Sequence, residues 1–161
     1  MMAPHVPEIL LWLFVINLGI AFGAGLYEQR IVLPLWFNSS SEPGLRVNSA
    51  AMRSTDTGRR FWAFVSTGPL TLLTLANLVV AWESQGQRHG WWLGAAVTTL
   101  VERIATFSYF IPTAIRLMRS EALPPAKVEA TASHWMAVNH VRAVLILLGW
   151  LAALKTLSLP A

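Results

Sequence analysis

The sequence predicts an all-α integral membrane protein, a four-helix bundle with both termini on the same, extracytoplasmic side. Three observations carry that expectation. Of the 161 residues, 55% are hydrophobic and only 12% charged, whereas about a quarter of the residues in a soluble domain are charged. Four apolar runs near the length needed to cross a hydrocarbon core roughly 30 Å thick recur along the chain, at about 1.5 Å per residue. Arg30, Arg46, Arg53, Arg59, Arg60, Arg116, Arg119 and Lys127 fall in or beside the first and third connectors, against Arg88 and Lys155 on the other side. The positive-inside rule therefore puts connectors 28–60 and 118–133 in the cytoplasm.

The first span covers about residues 9–27, an apolar run interrupted by Asn17. Gly19, Gly23 and Ala24 thin one side of it, which lets a neighbouring backbone approach. Asn17, Ala21, Ala24 and Glu28 share a face that ends in a carboxylate. The Ala-Phe-Gly-Ala-Gly stretch resembles a signal-peptidase site, but the preceding MMAPHVPE lacks Lys and Arg, so the segment reads as an uncleaved span. Connector 28–60 is partly interfacial: IVLPLWF lies along the membrane surface, SSSEPG is turn chemistry, and residues 46–60 are polar and basic. It is too short for a second domain, and residues 1–161 form one.

The second span, about 61–82, places Thr67, Thr74 and Asn77 on one face with Arg60 at its foot. Gly68-Pro69 kinks it, and neighbours satisfy the freed carbonyl. The third runs over about 91–117, bent at Pro112, and the fourth over about 134–157. Trp36, Trp62 and Trp135 gather near one interface and Trp12, Trp82, Trp91 and Trp92 near the other, as aromatic belts do.

The third span carries Glu102 and Arg103 at its middle. Charge there costs roughly 2.5–3.5 kcal/mol per residue on insertion scales, so it faces a bundle interior or wet cavity and marks function. Glu102, Thr106, Tyr109, Thr113 and Arg116 recur at helical spacing on one face. A polar stripe in an apolar segment looks inward while the greasy surface meets lipid. Arg103 is expected to turn away from the stripe, without a carboxylate partner at its depth.

On the fourth span, Trp135, Asn139 and Arg142 share a face, with His140 turned about 100° from Asn139. Counting from the cytoplasmic end puts Arg142 roughly 12 Å deep and Glu102 roughly 20 Å deep. A Glu102–Arg142 ion pair is therefore in reach, with Glu28, His140, Tyr109, Thr113 and Arg116 lining the space below. A purely structural pair is the bland alternative, but interhelical polar bonds contribute little in membranes, which favours a functional cluster. The candidate catalytic residues are Glu102, His140, Tyr109, Arg142 and Asn139. Glu28, Thr106, Thr113, Arg116 and Trp135 are the candidate substrate-binding residues.

The chain has no cysteine, which removes disulfides, thiolate metal sites and Cys nucleophiles. No two-His metal spacing is present; if a metal binds, Glu28, His134 and His140 are its candidate ligands. The cofactor is unknown: none is demanded, and metal or haem is compatible with the sequence. The expected partners are a hydrophobic small molecule and the lipid bilayer, not nucleic acid, since the basic residues form no patch. Homo-oligomerisation is left open.

The segments GAGLYEQRIVLP, RRFWAFVSTGPL and WMAVNHVRAVL together resemble the anthrone-oxygenase-like family of small four-helix membrane proteins. The Trp-x-x-x-Asn-x-x-Arg run is met by Trp135, Asn139 and Arg142, and the acidic residue and proline after the first span by Glu28 and Pro34. The resemblance implies an oxidoreductase that oxygenates a flat, anthrone- or quinone-like aromatic molecule. Such chemistry needs a base, for which Glu102 and His140 are candidates, and an oxyanion partner, for which Arg142 and Asn139 are. Two rival classes remain: a small-molecule or proton-coupled transporter, for which four helices without an inverted repeat are few unless a dimer forms, and an accessory subunit that binds a partner helix.

Overall fold

The structure is a computed structural model that describes residues 5–39 and 45–160. Its element order is α1 (Val6–Tyr27), a π-helical segment Glu28–Val32, α2 (Leu33–Trp36), β1 (Phe37–Ser39), β2 (Leu45–Val47), α3 (Ser49–Thr55), a second π segment Gly58–Thr67, α4 (Gly68–Glu83), α5 (Gln87–Ala105), a third π segment Thr106–Phe110, α6 (Ile111–Met118), a 3₁₀ turn Ser120–Ala122, and α7 (Pro125–Ser158). α1 packs on α4 and α7, and α5 packs on the same two helices. Three helices, Val6–Trp36, Gly58–Glu83 and Pro125–Ser158, are long and apolar enough to cross a membrane. Together with the outward-facing hydrophobic residues, they make this a membrane protein.

Burial is inverted relative to a soluble bundle. Along α1, Ile9, Trp12, Ile16 and Ile20 are exposed, while Leu11, Phe14 and Leu18 are fully buried. Deep inside, the described residues include Glu28, Glu102 and Arg103 beside Asn77 and Thr99. Apolar side chains on the outside cost nothing when the surroundings are hydrocarbon, so the polar groups take the interior, where partners exist.

The π segments have a common cause. Each ends one residue before a proline-bearing turn: Leu33-Pro34, Gly68-Pro69 and Ile111-Pro112. A proline has no N–H to donate, and its ring clashes with the carbonyl four residues back. Widening the preceding turn relieves the clash, and the residue before each proline donates five back instead: Leu33 to Glu28, Gly68 to Ala63, and Ile111 to Thr106. Pro69 leaves the Val65 carbonyl free, and the Asn17 amide of α1 donates to it at 2.8 Å. The kink expected at Gly68-Pro69, with its freed carbonyl satisfied by a neighbour, is thus present as a wide turn.

Two hydrophobic cores result. One joins Leu11, Phe14, Leu18, Leu70, Ala95 and Ala153 from α1, α4, α5 and α7. The other joins Trp36, Met52, Phe110, Leu117 and Trp135 at the opposite end. Within the first, Gly149 lets α7 approach α5 so closely that a Cβ there would sit 2.8 Å from Thr99 Oγ1. Gly19 makes room for the Trp150 ring, but Gly23 faces open space, so only part of the small-residue line on α1 serves close packing.

The connector departs from an all-helical expectation. The stretch expected to lie along the membrane surface continues α1 through α2 and then enters a two-stranded antiparallel ribbon, Phe37 opposite Val47 and Asn38 opposite Arg46. α3 follows, started by Asn48, whose side chain accepts from the Ala51 N–H at 2.9 Å. Most of the SSSEPG turn, like the MMAP start of the chain, lies outside the described residues.

Candidate functional site

Between the two cores the helices line a half-open cavity of about 580 Å³, within the range of small-molecule pockets. All four long helical stretches contribute to it, and the three π segments lie at its level. This placement accords with the tendency of π turns to mark functional sites.

Glu28, on the first π segment, is 6% exposed and projects into the cavity. Its Oε1 accepts from the Thr57 hydroxyl and from the Trp62 indole N–H, each at 2.8 Å. Its Oε2 faces the Arg142 guanidinium at 3.8 Å, an ion pair too long for a hydrogen bond. The Arg142 guanidinium carbon lies 4.8 Å from the Phe110 ring centroid and 6.0 Å from that of Trp62, a cation held over two aromatic rings.

Glu102 is 1% exposed and satisfied at both oxygens. Oε1 accepts from Thr106 at 2.8 Å, and Oε2 accepts from Arg103 Nε at 2.6 Å. The expectation that Arg103 turns away without a carboxylate is overturned. Arg103 bends back onto its sequence neighbour and donates through Nη1 to the Ser66 carbonyl at 3.2 Å, in the widened part of the second helix. Adjacent helical residues do not ordinarily face each other, but the long Arg103 stem reaches around because the cavity and the Ser66 carbonyl lie on one side. Glu102 and Arg142 line the same cavity, yet the contacts in the structure pair Glu102 with Arg103 and Arg142 with Glu28. The two carboxylates and two guanidiniums balance in formal charge.

The helical stripe of the third span breaks at its π segment. An extra residue in that turn displaces the following face by one position. Glu102 and Thr106 line the cavity as spaced, but they are followed by Phe110, Ala114 and Met118 rather than Tyr109, Thr113 and Arg116. Tyr109 is half-buried outside the cavity, its hydroxyl 2.6 Å from His134 Nδ1. Thr113 is buried elsewhere, and Arg116 lies exposed in a separate depression.

α7 carries no such interruption, and Trp135, Arg142 and Ile146 line the cavity at regular spacing. Asn139 is buried on that side but lines no cavity wall; its Oδ1 lacks a partner, and its carbonyl accepts from Gln29 at 3.5 Å. His140 is turned to the outer surface, with Nδ1 2.9 Å from the Met136 carbonyl. His140 thus stands outside the cavity the sequence assigned it to, as the 100° offset from Asn139 allows. Glu28, His134 and His140 are not brought together, and among the described residues no three such side chains group as metal ligands.

Trp62, Thr57 and Ser66 are cavity residues to which the sequence reading gave no role in a site, and Arg103 is one that it turned the wrong way. The signal available was Pro69, whose wide turn exposes backbone carbonyls and re-aims the second helix. At the connector end Arg53, Asp56 and Arg59 also reach the cavity. Burial pushes the Asp56 carboxyl up, but the hydrogen bonds and charge of Arg59, with Arg60 adding, hold it below the ordinary aspartate value.

The fold and cavity define a class: a helical membrane protein with a polar site inside an apolar bundle. Residues 53–152 match the family model described as Anthrone oxygenase, and the chain belongs to that family. The match begins after the first helix, so Glu28 lies outside it. No curated protein and no solved structure matches.

Proposed function

We propose that this protein is a four-span membrane oxygenase that oxidises a hydrophobic, phenolic aromatic molecule inside the central cavity, with connectors 28–60 and 118–133 cytoplasmic. The observation that carries the reading is the 580 Å³ cavity holding Glu28 and Arg142 between aromatic walls. Family membership supplies the class of reaction.

Glu28 is the better base. Its Oε2 has only a distant guanidinium, whereas both Glu102 oxygens are held in short hydrogen bonds. In the proposed step Glu28 Oε2 takes a proton from carbon beside a carbonyl, and the carbonyl oxygen gains the charge. Arg142, fixed over Phe110, stabilises that oxyanion. The anion then reacts with dioxygen: a CH₂ group and O₂ give a carbonyl and water. Trp62 and Thr57 hold the carboxylate in place, and Glu102, Arg103 and Thr106 form the second polar wall. Ala63 and Ile115 line the cavity and are exposed, so the opening between the second and third helices is the route by which a lipid-dissolved substrate would enter.

The test is oxygen consumption by the purified protein with a polycyclic phenolic carbon acid, followed together with quinone absorbance. The wild type turns over, and Glu28→Gln and Arg142→Met each lower the rate at least about 100-fold. Full rates in both variants would remove the cavity as the site.

A further inference from the structure

The C-terminal end of the third helix carries a second depression, of about 350 Å³, formed by Pro112, Ile115, Arg116, Arg119 and Leu123. We propose that it seats the headgroup of an anionic phospholipid. Arg116 and Arg119 are three residues apart on one side of the helix end, and both are exposed. Neither guanidinium has an acidic partner among the described residues. The neighbouring Glu121 is engaged by Arg53 and Ser49 at 2.6 and 2.9 Å, and Asp56 by Arg59.

Two uncompensated forks at this spacing match a phosphate, which guanidinium binds in paired hydrogen bonds. The helix C-terminus disfavours an anion, so the side chains rather than the backbone must hold it. Depth agrees with a lipid. Arg116 lies 14 positions beyond Glu102, roughly 20 Å along the axis, where a helix leaves the hydrocarbon. Pro112, one turn deeper than Arg116, and the adjacent Ile115 offer an apolar wall to the acyl chain, with Leu123 closing the far side. Ile115 and Arg119 also line the central cavity, so a lipid seated here stands beside its side entrance.

The experiment measures lipid retention by the full chain with native mass spectrometry, after exchange into micelles doped with phosphatidylglycerol or phosphatidylcholine. The wild type retains one phosphatidylglycerol in preference to phosphatidylcholine. Arg116→Gln with Arg119→Gln lowers that affinity roughly 10- to 30-fold, as loss of two headgroup contacts predicts. Arg30→Gln with Arg60→Gln removes equal charge from the connector at the same end and leaves the affinity within about twofold. If the first pair compromises folding, the single changes serve, each lowering affinity several-fold. Equal loss in both double variants, equal retention of the two lipids, or displacement of the lipid by millimolar inorganic phosphate would overturn the assignment.

Discussion

The two halves of the bundle use the same helices to opposite ends. In the half built from α1, α4, α5 and the C-terminal part of α7, regular turns bring Leu11, Phe14, Leu18 and Leu70 into full burial, and Gly149 closes the gap between α5 and α7. Asn77 there is tied off, accepting from Trp92 at 2.9 Å and donating to the Leu73 carbonyl at 2.8 Å, while the buried Trp150 indole N–H is left without a partner. Between this half and the second core, three prolines widen three helices at one level, and space appears instead of packing. Charge follows the space: Glu28, Glu102, Arg103 and Arg142 all lie on the cavity wall. Local backbone chemistry, rather than hydrophobic pattern, decides where this bundle is solid and where it is hollow.

Filling the hollow should have the largest effect. Ala143→Trp, on the cavity wall, is expected to abolish ligand binding and lower turnover at least about 100-fold, while the melting temperature stays within a few degrees. Restoring a regular turn comes next. Pro112→Ala returns an N–H that can bond the Ser108 carbonyl, so the third helix tightens and Phe110 and Ala114 rotate off the wall. Turnover should fall about 10- to 100-fold without loss of stability, because misplacing a reacting partner by about 1 Å costs that much.

The solid half should answer in the opposite way. Gly149→Val forces a side chain against Thr99 and should cost about 1–3 kcal/mol of stability in a denaturation titration, with turnover per folded molecule unchanged. Asn17→Ala leaves the Val65 carbonyl bare and should cost about 0.6–1.5 kcal/mol. A pH effect at the connector is the smallest. Hydrogen bonds from Arg53 and Ser49, with the charge of Arg53, hold the Glu121 carboxyl below its ordinary value. A lowered folded pKa means the latch contributes fully above the unfolded glutamate value, about 4.3, and is lost as pH falls through the folded one. Protection factors at α3, taken relative to intrinsic exchange at each pH, should therefore fall in acid, and Glu121→Gln should flatten that dependence.

Much of this contrast was legible in the sequence. On α7 plain helical spacing put Trp135, Asn139 and Arg142 on one face; Trp135 and Arg142 do line the cavity, whereas Asn139 is buried without reaching its wall. The outward apolar surface followed from composition, and the family from short motifs that include Arg142. Tyr109 and Arg116 were misplaced because periodicity assumes one residue per 100° throughout, and the turn before Pro112 breaks that count. Arg103 was misread for a related reason: its acceptor at Ser66 sits in another helix whose widening only Pro69 announces. The strands Phe37–Ser39 and Leu45–Val47 are three residues each, too short for alternation to register.

The central claim is that one level of the bundle is hollow and the other packed, and the absence of native cysteine permits a background-free test. Ser66→Cys places a thiol on the cavity wall, and Ala95→Cys places one in the packed half; both parent residues are buried. Labelling rates with a small membrane-permeant thiol reagent should differ by at least about tenfold in favour of position 66. Equal rates at the two positions would contradict the account.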